Sequence, residues 1–420
     1  MHAAQLFYLT GGFPYRETDA FSADELPFLR ELPANIHILP TTRETAPPDV
    51  ADTLPMLTVG ATAKLPYLLQ PDAGHLAARE WFSQKQRGNS PTLRRVLGAT
   101  ASALHARNAL KRLILTRQYQ ACPLVVYSFW MIPALYGMSL LKKEFPQLRV
   151  VSRAHGFDLY PHRHPGNHLP FNYMRHEWID VAAPCSQQGY ATLLETHFTP
   201  EQVHTAFLGA PPQAAAARPS GENEIHLVSL SYITGVKRLP LLVRSLKQLA
   251  LTRPDLRIVW HHIGNGPDED ELHRVVAAEL DALPNVSSQL HGFMDNASVR
   301  HFLGNHEPLD MLVNVSESEG LPVSMMEALA VGLPVLGTDV GGVSEIVTAQ
   351  TGRVIPKDFT TEQFIDAVLS LKQWGTADIR QGIKKFFTKN FNLYANHKDF
   401  TQHVLAEQLR LSAVALKGAT

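Results

Sequence analysis

Short apolar runs alternate with amphipathic stretches along most of the chain, and this alternation predicts an α/β protein built on parallel sheets. Parallel strands are covered by helices on both faces, so they read as nearly continuous apolar runs. The runs that fit this description are Gln5–Thr10, Leu124–Trp130, Val150–Ala154, Ile225–Leu230, Arg257–Ile263, Met311–Val315 and Pro334–Gly337. In such sheets ligands bind at the carboxyl ends of the strands, so the loops that follow these runs are the places to search for chemistry.

The pattern divides the chain near its middle. Its 420 residues exceed what one hydrophobic core usually organises. Residues 208–221 have the composition of a linker, with consecutive prolines, a run of alanines and a Pro-Ser-Gly turn. The sequence therefore predicts two Rossmann-like, doubly wound domains that face each other across a cleft and cover residues 1–210 and 222–390.

Composition and charge exclude several classes of protein. The chain has 38 basic and 39 acidic residues, and a net charge of -1 argues against a dedicated nucleic-acid binder. The two cysteines, Cys122 and Cys185, have no metal-ligand or disulfide-framework spacing, which fits a reducing cytoplasm. The residues after Met1 read as a first strand and lack the pattern of a signal peptide. We therefore expect a cytoplasmic protein.

One uncharged segment, Gln118–Leu141, is long enough to cross a bilayer. Pro123 and Pro133 interrupt it, and a proline is tolerated in the first turn of a helix. The segment is therefore predicted to be a buried strand followed by a helix.

A basic region surrounds that segment. Residues 81–143 contain ten basic side chains and no Asp or Glu, and most of the basic residues alternate with leucines over residues 85–117. This pattern is typical of basic amphipathic helices that lie on anionic lipid. It is equally typical of a solvated helical face whose apolar side packs on its own domain, and both interpretations can hold together.

The strongest chemical signal is the segment 316–330, SESEGLPVSMMEALA, which follows a predicted strand and opens a helix. The turn at Gly320, Leu321 and Pro322 exposes backbone N–H groups, and a helix from Val323 and Ser324 onward directs its positive end at that turn. A diphosphate is the expected anion. Glu327 lies near the helix start, where it can accept hydrogen bonds from ribose hydroxyls, and Glu319 lies on the loop itself.

Other loops follow other strands. Gly264 begins a Gly-Asn-Gly-Pro loop, Gly11 and Gly12 follow the first strand, and His155 lies directly before a glycine at the end of the strand Val150–Ala154. Glycines let a backbone approach a phosphate or an acceptor closely. The histidines at 162, 164, 168 and 176 have no known ligand spacing, so no metal site is predicted.

Taken together and in this order, the motifs resemble those of the retaining, nucleotide-sugar-dependent glycosyltransferases of family 4, which have the two-domain GT-B architecture. The resemblance is to the exopolysaccharide and O-antigen biosynthesis type and covers roughly Leu6 to Arg353. Its specific part is Glu319, seven intervening residues and Glu327, followed by the turn TDVGGVSEIV at 338–347. It implies that His155, Lys237 and Glu319 are catalytic. It also implies that the donor is bound by Gly11, Gly12, Gly264, Gly320, Leu321, Pro322, Val323, Ser324 and Glu327.

The resemblance departs from the family pattern at one position. The loop 229–238, SLSYITGVKR, matches the family loop in which an arginine and a lysine neutralise the diphosphate. Lys237 matches the lysine, but Tyr232 stands where most members have arginine. Arg238 is the residue expected to replace it.

The resemblance also implies a reaction. A hexosyl group would pass from a nucleoside-diphosphate sugar, with UDP favoured over GDP-mannose, to a glycan or lipid-linked oligosaccharide, without metal or further cofactor. Two routes are open, a covalent intermediate on Glu319 or attack from the leaving-group face, and we favour the second. The helical segment at about 394–416 is expected to pack back on the first domain.

Alternatives remain at this stage. The acceptor could be a soluble sugar, a small molecule or a protein, and the chain could be a non-catalytic sugar-nucleotide-binding protein. The basic region 85–117 is the expected peripheral contact with the inner face of the cell membrane. The sequence sets no oligomeric state.

Overall fold

The computed structural model of the protein describes residues 3–14, 20–41, 65–305 and 308–418. The chain forms two compact units: unit 1 is Met1–Ala206 with His397–Thr420, and unit 2 is Phe207–Asn396. The chain therefore passes from one unit to the other after Ala206 and returns after Asn396.

Unit 1 is built on a five-stranded parallel sheet with the spatial order β2-β1-β3-β4-β5. Its strands are β1 (Ala4–Thr10), β2 (Ala34–Pro40), β3 (Leu124–Ser128), β4 (Arg149–Ala154) and β5 (Val181–Pro184). Its helices up to the first crossing are α1 (Ala20–Leu29), α2 (Leu65–Leu68), α3 (Ala73–Gln86), α4 (Leu93–Thr116), α5 (Pro133–Ser139), α6 (Gly156–Leu159) and α7 (Gln187–Glu195).

The long helix α4 shows how the unit 1 core forms. The Thr92 side chain caps it by accepting the N–H of Arg95, and alanines and leucines at helical spacing bury one face. The backbone of α5 comes so close to α4 that a Cβ on Gly137 would lie 1.8 Å from the carbonyl oxygen of Ala103. Leu93, the first residue of α4, is 63% exposed.

Unit 2 is built on a six-stranded parallel sheet with the order β11-β10-β9-β6-β7-β8. Its strands are β6 (Glu224–Leu230), β7 (Arg257–Ile263), β8 (Val286–Leu290), β9 (Met311–Asn314), β10 (Val335–Thr338) and β11 (Gly352–Ile355). Its helices are α8 (Leu239–Thr252), α9 (Glu269–Glu279), α10 (Asn296–Asn305), α11 (Val323–Ala330), α12 (Val343–Ile346), α13 (Thr361–Lys372) and α14 (Ala377–Asn390). Helices α8, α9 and α13 pack on one face of this sheet around Trp260 and Phe364.

The segment 208–221, with its linker composition, is held against unit 2. The Arg380 guanidinium donates to the carbonyl of Ala217 (2.8 Å), and Lys384 Nζ donates to the carbonyls of Gln213 (2.9 Å) and Ala215 (3.0 Å). The segment, which lies within the described ranges, has no helix or strand, in agreement with its proline and alanine content. Side-chain donors of unit 2 bind its carbonyl groups and hold it in place.

The chain ends in α15 (Leu393–Asp399), which spans the unit boundary, a short π-helical turn and α16 (Ala406–Gly418). In unit 1, α16 packs on β3 and β4. Ser412 Oγ accepts the N–H of Leu124 (2.8 Å) and donates to the carbonyl of Gln147 (2.7 Å). These bonds join α16 to the first residue of β3 and to the segment just before β4.

Each predicted apolar run contains a strand whose ends lie within two residues of the prediction, so those assignments are confirmed. The uncharged run Gln118–Leu141 contains β3 and then α5, as predicted. Within the described ranges, no helix combines the length and the apolar character that a bilayer span requires.

Candidate functional site

Two loops of unit 2 meet beyond the carboxyl ends of its central strands. Strands β6 and β9 are neighbours, and the N–H of Glu317 donates to the carbonyl of Val236 (2.8 Å). This bond joins the loop that carries Glu319 to the loop that carries Lys237. The predicted catalytic residues of unit 2 are therefore brought together by backbone contacts.

Glu319 and Lys237 form an ion pair with 2.7 Å between Oε1 and Nζ. Asn314 Nδ2 donates to the same carboxylate oxygen (3.0 Å). Burial alone would raise the pKa of the Glu319 carboxyl, but the charge of Lys237 and hydrogen bonds from Lys237, Ser316 and Asn314 outweigh it, so this pKa lies below its ordinary value. Glu319 is thus an ionised acceptor beside a fixed cation.

Asn314 is a residue of this site that the sequence reading missed. It ends β9, five residues before Glu319, and it is buried. A polar amide as the last residue of an otherwise apolar strand was the available signal, because side chains at the carboxyl end of a parallel strand face the ligand region.

The turn Gly320–Pro322 leads directly into α11, whose first helical residue is Val323. The first backbone N–H groups of any helix lack partners within it, and here they follow the Glu319 loop. Val323 and Ser324 therefore lie where the positive end of α11 favours an anion, which agrees with the geometry expected for a diphosphate.

The glycine turn after β10 supports this loop. The N–H of Gly342 donates to the carbonyl of Gly320 (2.7 Å). Gly341 has φ of +57°, and a Cβ there would lie 2.0 Å from the carbonyl oxygen of Glu319. Only glycine fits this contact, which explains the first glycine of the Gly-Gly pair in the motif at 338–347.

Glu327, in the middle of α11, is buried. Among the described residues its carboxylate has neither a hydrogen bond nor an ion pair. Burial raises the pKa of Glu327 to about 7, against a weaker opposing effect of the Arg300 charge. A buried carboxyl without a partner is an acceptor available to a ligand, as expected for contact with ribose hydroxyls.

Arg238 is held by backbone carbonyls. Its backbone is left-handed, with φ of +50°. Its guanidinium donates to the carbonyls of Val315 (2.7 Å), Lys357 (2.9 Å) and Ser316 (3.3 Å). Most of its donors are therefore engaged in fixing the end of β9, while Tyr232 is 59% exposed.

Gly264, predicted to bind the donor, forms a close contact between the loops after β6 and β7. Its φ is +141°, and a Cβ there would lie 1.9 Å from the carbonyl oxygen of Ser231. The N–H of Ile233 donates to the carbonyl of Asn265 across the same junction (2.8 Å). Glycine is therefore required at position 264 for the close packing of these two loops at the carboxyl ends of β6 and β7.

In unit 1, His155 lies at the carboxyl end of β4 and precedes α6. Its Nε2 is 3.0 Å from the carbonyl oxygen of Phe129, so this nitrogen carries the proton in the hydrogen bond. Its ring stacks on Phe129 and contacts Trp130, with centroids 4.7 Å apart in both pairs. The imidazole is therefore held in one orientation by aromatic neighbours.

Asp158 shapes the same loop. Its carboxylate accepts the backbone N–H of Met131 (2.6 Å) and of His155 (2.5 Å). Burial raises the pKa of Asp158 to about 6, although those N–H groups and the Arg175 charge act in the opposite direction. The carboxylate is used within the protein to join the loops after β3 and β4.

Gly11 and Gly12 follow β1 at the same edge of the unit 1 sheet. The Thr41 hydroxyl donates to the carbonyl of Gly11 (2.7 Å), and the Thr10 hydroxyl donates to the carbonyl of Phe13 (2.6 Å). The glycine turn is thus anchored on both sides within unit 1.

The histidines considered for a metal are used in different contacts. His168 pairs with Glu80 (2.8 Å) inside unit 1, His164 bonds the carbonyl of Phe157 (2.6 Å), and His162 stacks on Tyr160. Within the described ranges, no group of three or more His, Cys, Asp or Glu side chains is arranged to hold a metal ion.

Comparison with known proteins identifies the class of the second unit. Residues 224–373 match the family model described as glycosyl transferases group 1. The glycosyltransferase WcaL of Escherichia coli K12, whose provisional name assigns it to colanic acid biosynthesis, is 23% identical over 360 residues, covering 80% of this chain and 86% of WcaL. Unit 2 therefore carries a group 1 glycosyltransferase domain.

Solved structures show the fold of the whole chain. A lipopolysaccharide outer core galactosyltransferase, WaaB, superimposes with a TM-score of 0.68 at 11% identity, covering 95% of this chain and 99% of WaaB. Anabaena HepE in complex with UDP-glucose gives a TM-score of 0.61 at 14% identity, covering 97% of this chain and all of HepE. The chain has the GT-B fold, with two parallel-sheet α/β domains, as the sequence predicted.

Proposed function

We propose that the protein is a family 4 retaining, metal-independent hexosyltransferase that uses a nucleoside-diphosphate sugar in cell-surface polysaccharide biosynthesis. The observation that carries the proposal is the Lys237–Glu319 ion pair beside the start of α11, within the matched glycosyltransferase domain. An ammonium group and helix N–H groups suit a departing diphosphate, and the ionised carboxylate suits hydroxyl groups of a sugar.

The geometry favours attack from the leaving-group face. The bond between the anomeric carbon and the β-phosphate oxygen breaks, and the acceptor oxygen forms its bond on the same face of the sugar. The acceptor proton passes to the departing diphosphate oxygen. Lys237 and the N–H groups of Val323 and Ser324 stabilise the negative charge that develops. Burial raises the pKa of Glu319, but the charge of Lys237 and the hydrogen bonds from Lys237 and Asn314 lower it overall, which makes this carboxylate a weaker nucleophile for the covalent route.

The donor nucleotide can be tested by thermal unfolding with UDP, GDP, ADP, CDP and dTDP, each with and without EDTA. A ligand that binds the folded state stabilises it by mass action. We expect UDP to raise the melting temperature and EDTA to leave the shift unchanged; HepE, a structural neighbour, has been solved with UDP-glucose. A response lost in EDTA would contradict metal independence, and no response to any nucleotide would contradict the proposed function.

Retention can be tested once the donor class is known. The anomeric configuration of the product is read by NMR from the coupling of its anomeric proton and compared with that of the donor. The same configuration supports retention, which both the front-face and the covalent route produce, and inversion would contradict membership of a retaining family.

The acceptor proposed is a glycan or a lipid-linked oligosaccharide at the inner face of the cell membrane. WcaL, a relative, is named for colanic acid biosynthesis. The region from α2 to α4 exposes large apolar side chains, and Arg94 and Arg112 have no ion-pair partner among the described residues. The exposed apolar residues are Leu65, Leu69, Phe82, Leu93 and Leu115. Exposed leucines next to cations suit an anionic lipid surface.

Flotation with anionic liposomes tests this contact. The change of Arg94, Arg112 and Arg117 to serine is expected to abolish binding, whereas the same change at Arg274, Lys385 and Lys389 in unit 2, which removes equal charge, is expected to preserve it. Equal flotation of both variants would contradict the membrane contact.

A soluble acceptor is the second candidate, and one observation favours it. Several cations of the basic region are used within unit 1, since Arg107 pairs with Asp72 and Lys111 pairs with Glu144. Such pairs are typical of a solvated helical face. Wild-type protein that does not bind liposomes but transfers sugar to a soluble glycan would support this candidate.

A further inference from the structure

The orientation of the Asn314 side chain is fixed from both sides. Its Oδ1 accepts the backbone N–H of Ser316 (2.9 Å), and its Nδ2 donates to Glu319 Oε1 (3.0 Å). A backbone N–H can only donate, and an ionised carboxylate can only accept. The two neighbours therefore determine which end of the amide is oxygen, so the amide nitrogen must face Glu319.

This arrangement fixes the carboxylate as well. Lys237 Nζ and Asn314 Nδ2 both bond to Oε1 of Glu319, and neither bonds to Oε2. Two donors of different chemistry that converge on one oxygen define the plane of the carboxylate. Hydrogen bonds to an ionised group are roughly twice as strong as neutral ones, so the orientation is well maintained.

We propose that Asn314 is a positioning residue that orients the Glu319 carboxylate to accept hydroxyl groups of the donor's hexosyl group. This inference rests on the proposed function and adds the residue that sets sugar recognition. Asn314 acts through Glu319, so its effect is specific to the sugar and does not extend to the nucleoside diphosphate. Nucleotide affinity and nucleotide-sugar affinity should therefore respond differently to its substitution.

The change Asn314→Asp isolates this role because the two side chains have the same shape. An aspartate still accepts the N–H of Ser316, but it presents a carboxylate oxygen where Glu319 needs a donor. Like charges at hydrogen-bond distance repel and disfavour ionisation of both groups. Asn314→Ala removes the donor without adding charge and serves as the second variant.

The matched control is Asn285→Asp in the same unit. Asn285 Nδ2 donates to the carbonyls of Ala250 (3.1 Å), Leu256 (3.1 Å) and Arg253 (3.3 Å), where β8 begins. Loss of these hydrogen bonds should lower the free energy of unfolding, and none of them involves Glu319. Any effect common to both aspartate variants is therefore structural.

The experiment is isothermal titration of full-length protein with UDP and with UDP-glucose, at pH values from 5.5 to 8.5. We expect Asn314→Asp to weaken UDP-glucose binding about tenfold more than it weakens UDP binding, with the loss greatest at high pH, where both carboxyls are ionised and no donor faces Glu319. Asn314→Ala should also weaken UDP-glucose binding more than UDP binding, by about threefold. Asn285→Asp should leave the ratio of the two affinities unchanged.

The outcomes separate this inference from the proposed function. Wild-type binding of UDP-glucose together with equal losses of both ligands in the Asn314 variants, or with no loss, overturns the positioning role alone. Wild type that binds neither UDP nor UDP-glucose, and whose melting temperature responds to none of UDP, GDP, ADP, CDP and dTDP, overturns the proposed function together with the inference that rests on it.

Discussion

Each unit buries a carboxylate beyond the end of its sheet, and the two carboxylates are held by different groups. Asp158 in unit 1 accepts two backbone N–H groups, and burial raises its pKa to about 6. Glu319 in unit 2 accepts a lysine and an asparagine, and despite its burial its pKa lies below the ordinary value.

The difference shows what a fixed cation contributes. The backbone N–H groups and the charge of Arg175, whose guanidinium bonds the Asp158 carbonyl and not its carboxylate, do not offset the whole cost of desolvating Asp158. The Lys237 ammonium, bonded directly to the Glu319 carboxylate at 2.7 Å, contributes to an offset of that cost. Asp158 therefore serves the loop around His155, and Glu319 stays ionised at neutral pH and available to a ligand. The predictions below test this division.

The largest effect is expected from Lys237→Met. Without the ammonium, Glu319 is left buried like Asp158 and its pKa should rise, while the leaving diphosphate loses its cation. Removing one preorganised electrostatic stabiliser typically lowers turnover about 10²–10³-fold. Initial rates with UDP-glucose measure this. Lys247→Met is the control, since Lys247 pairs with Glu279 at the surface of the same unit (2.7 Å), and an equal loss there would refute the role of Lys237.

Replacing each carboxylate by an amide gives the next largest contrast. Glu319→Gln should lower turnover about a hundredfold because a neutral amide cannot replace the ionised acceptor. Asp158→Asn should change turnover only about threefold but lower the free energy of unfolding by about 1–3 kcal/mol, because its amide N–H₂ faces a backbone N–H. Initial rates measure turnover, and urea unfolding measures the free energy of unfolding. A larger loss of turnover in Asp158→Asn than in Glu319→Gln would contradict the comparison.

The sequence predicted the central strands well and the outer strands poorly. The strands it missed, β2, β5, β8 and β11, are the edges of the two sheets. A central strand of a parallel sheet is covered on both faces and flanked on both sides, so its sequence is a continuous apolar run. An edge strand such as β8, whose residues are only partly buried, lacks that pattern.

The positions of the candidate residues were predictable only where a residue lies in a loop that follows a predicted strand. His155 directly follows β4, and Glu319 and Lys237 lie in the loops after β9 and β6. The carboxyl ends of neighbouring parallel strands share one edge of their sheet. The direction of Arg238 could not be read from its type, because the left-handed backbone at this residue turns its guanidinium to backbone carbonyls. Asn314 likewise acquires its role only from two hydrogen bonds that the fold creates.

A smaller effect is expected at the unit 1 site. His155→Ala removes the ring that lies against Phe129 and Trp130. Because the family resemblance implies a catalytic role for His155, this change should lower turnover about tenfold. UDP affinity should stay within about twofold, because UDP lacks the sugar. His105→Ala is the control in the same unit, where the ring packs edge-on against Tyr67. A tenfold loss of UDP affinity in His155→Ala would instead assign His155 to the nucleotide.

The smallest effect concerns Glu327, whose pKa of about 7 lies above the ordinary value of 4.5. Between these pH values the folded protein keeps a proton that the unfolded chain has released, so stability should fall as pH rises through this window. Asp158 contributes to the same slope only up to about pH 6.

Ribose hydroxyls donate best to the ionised Glu327 carboxylate, so UDP-glucose binding should release a proton below about pH 7. Its affinity should then rise about threefold from pH 6.5 to 7.5. UDP-glucose is the suitable probe because its diphosphate does not titrate in this range. Calorimetric titration in two buffers of different ionisation enthalpy gives the number of protons released on binding. Glu327→Gln should remove both this proton release and the pH dependence of the affinity. If the wild-type affinity is flat across this range while Glu327→Gln still weakens binding, the carboxyl contacts the nucleotide without a change in its protonation state, and the proposed coupling of binding to proton release is wrong.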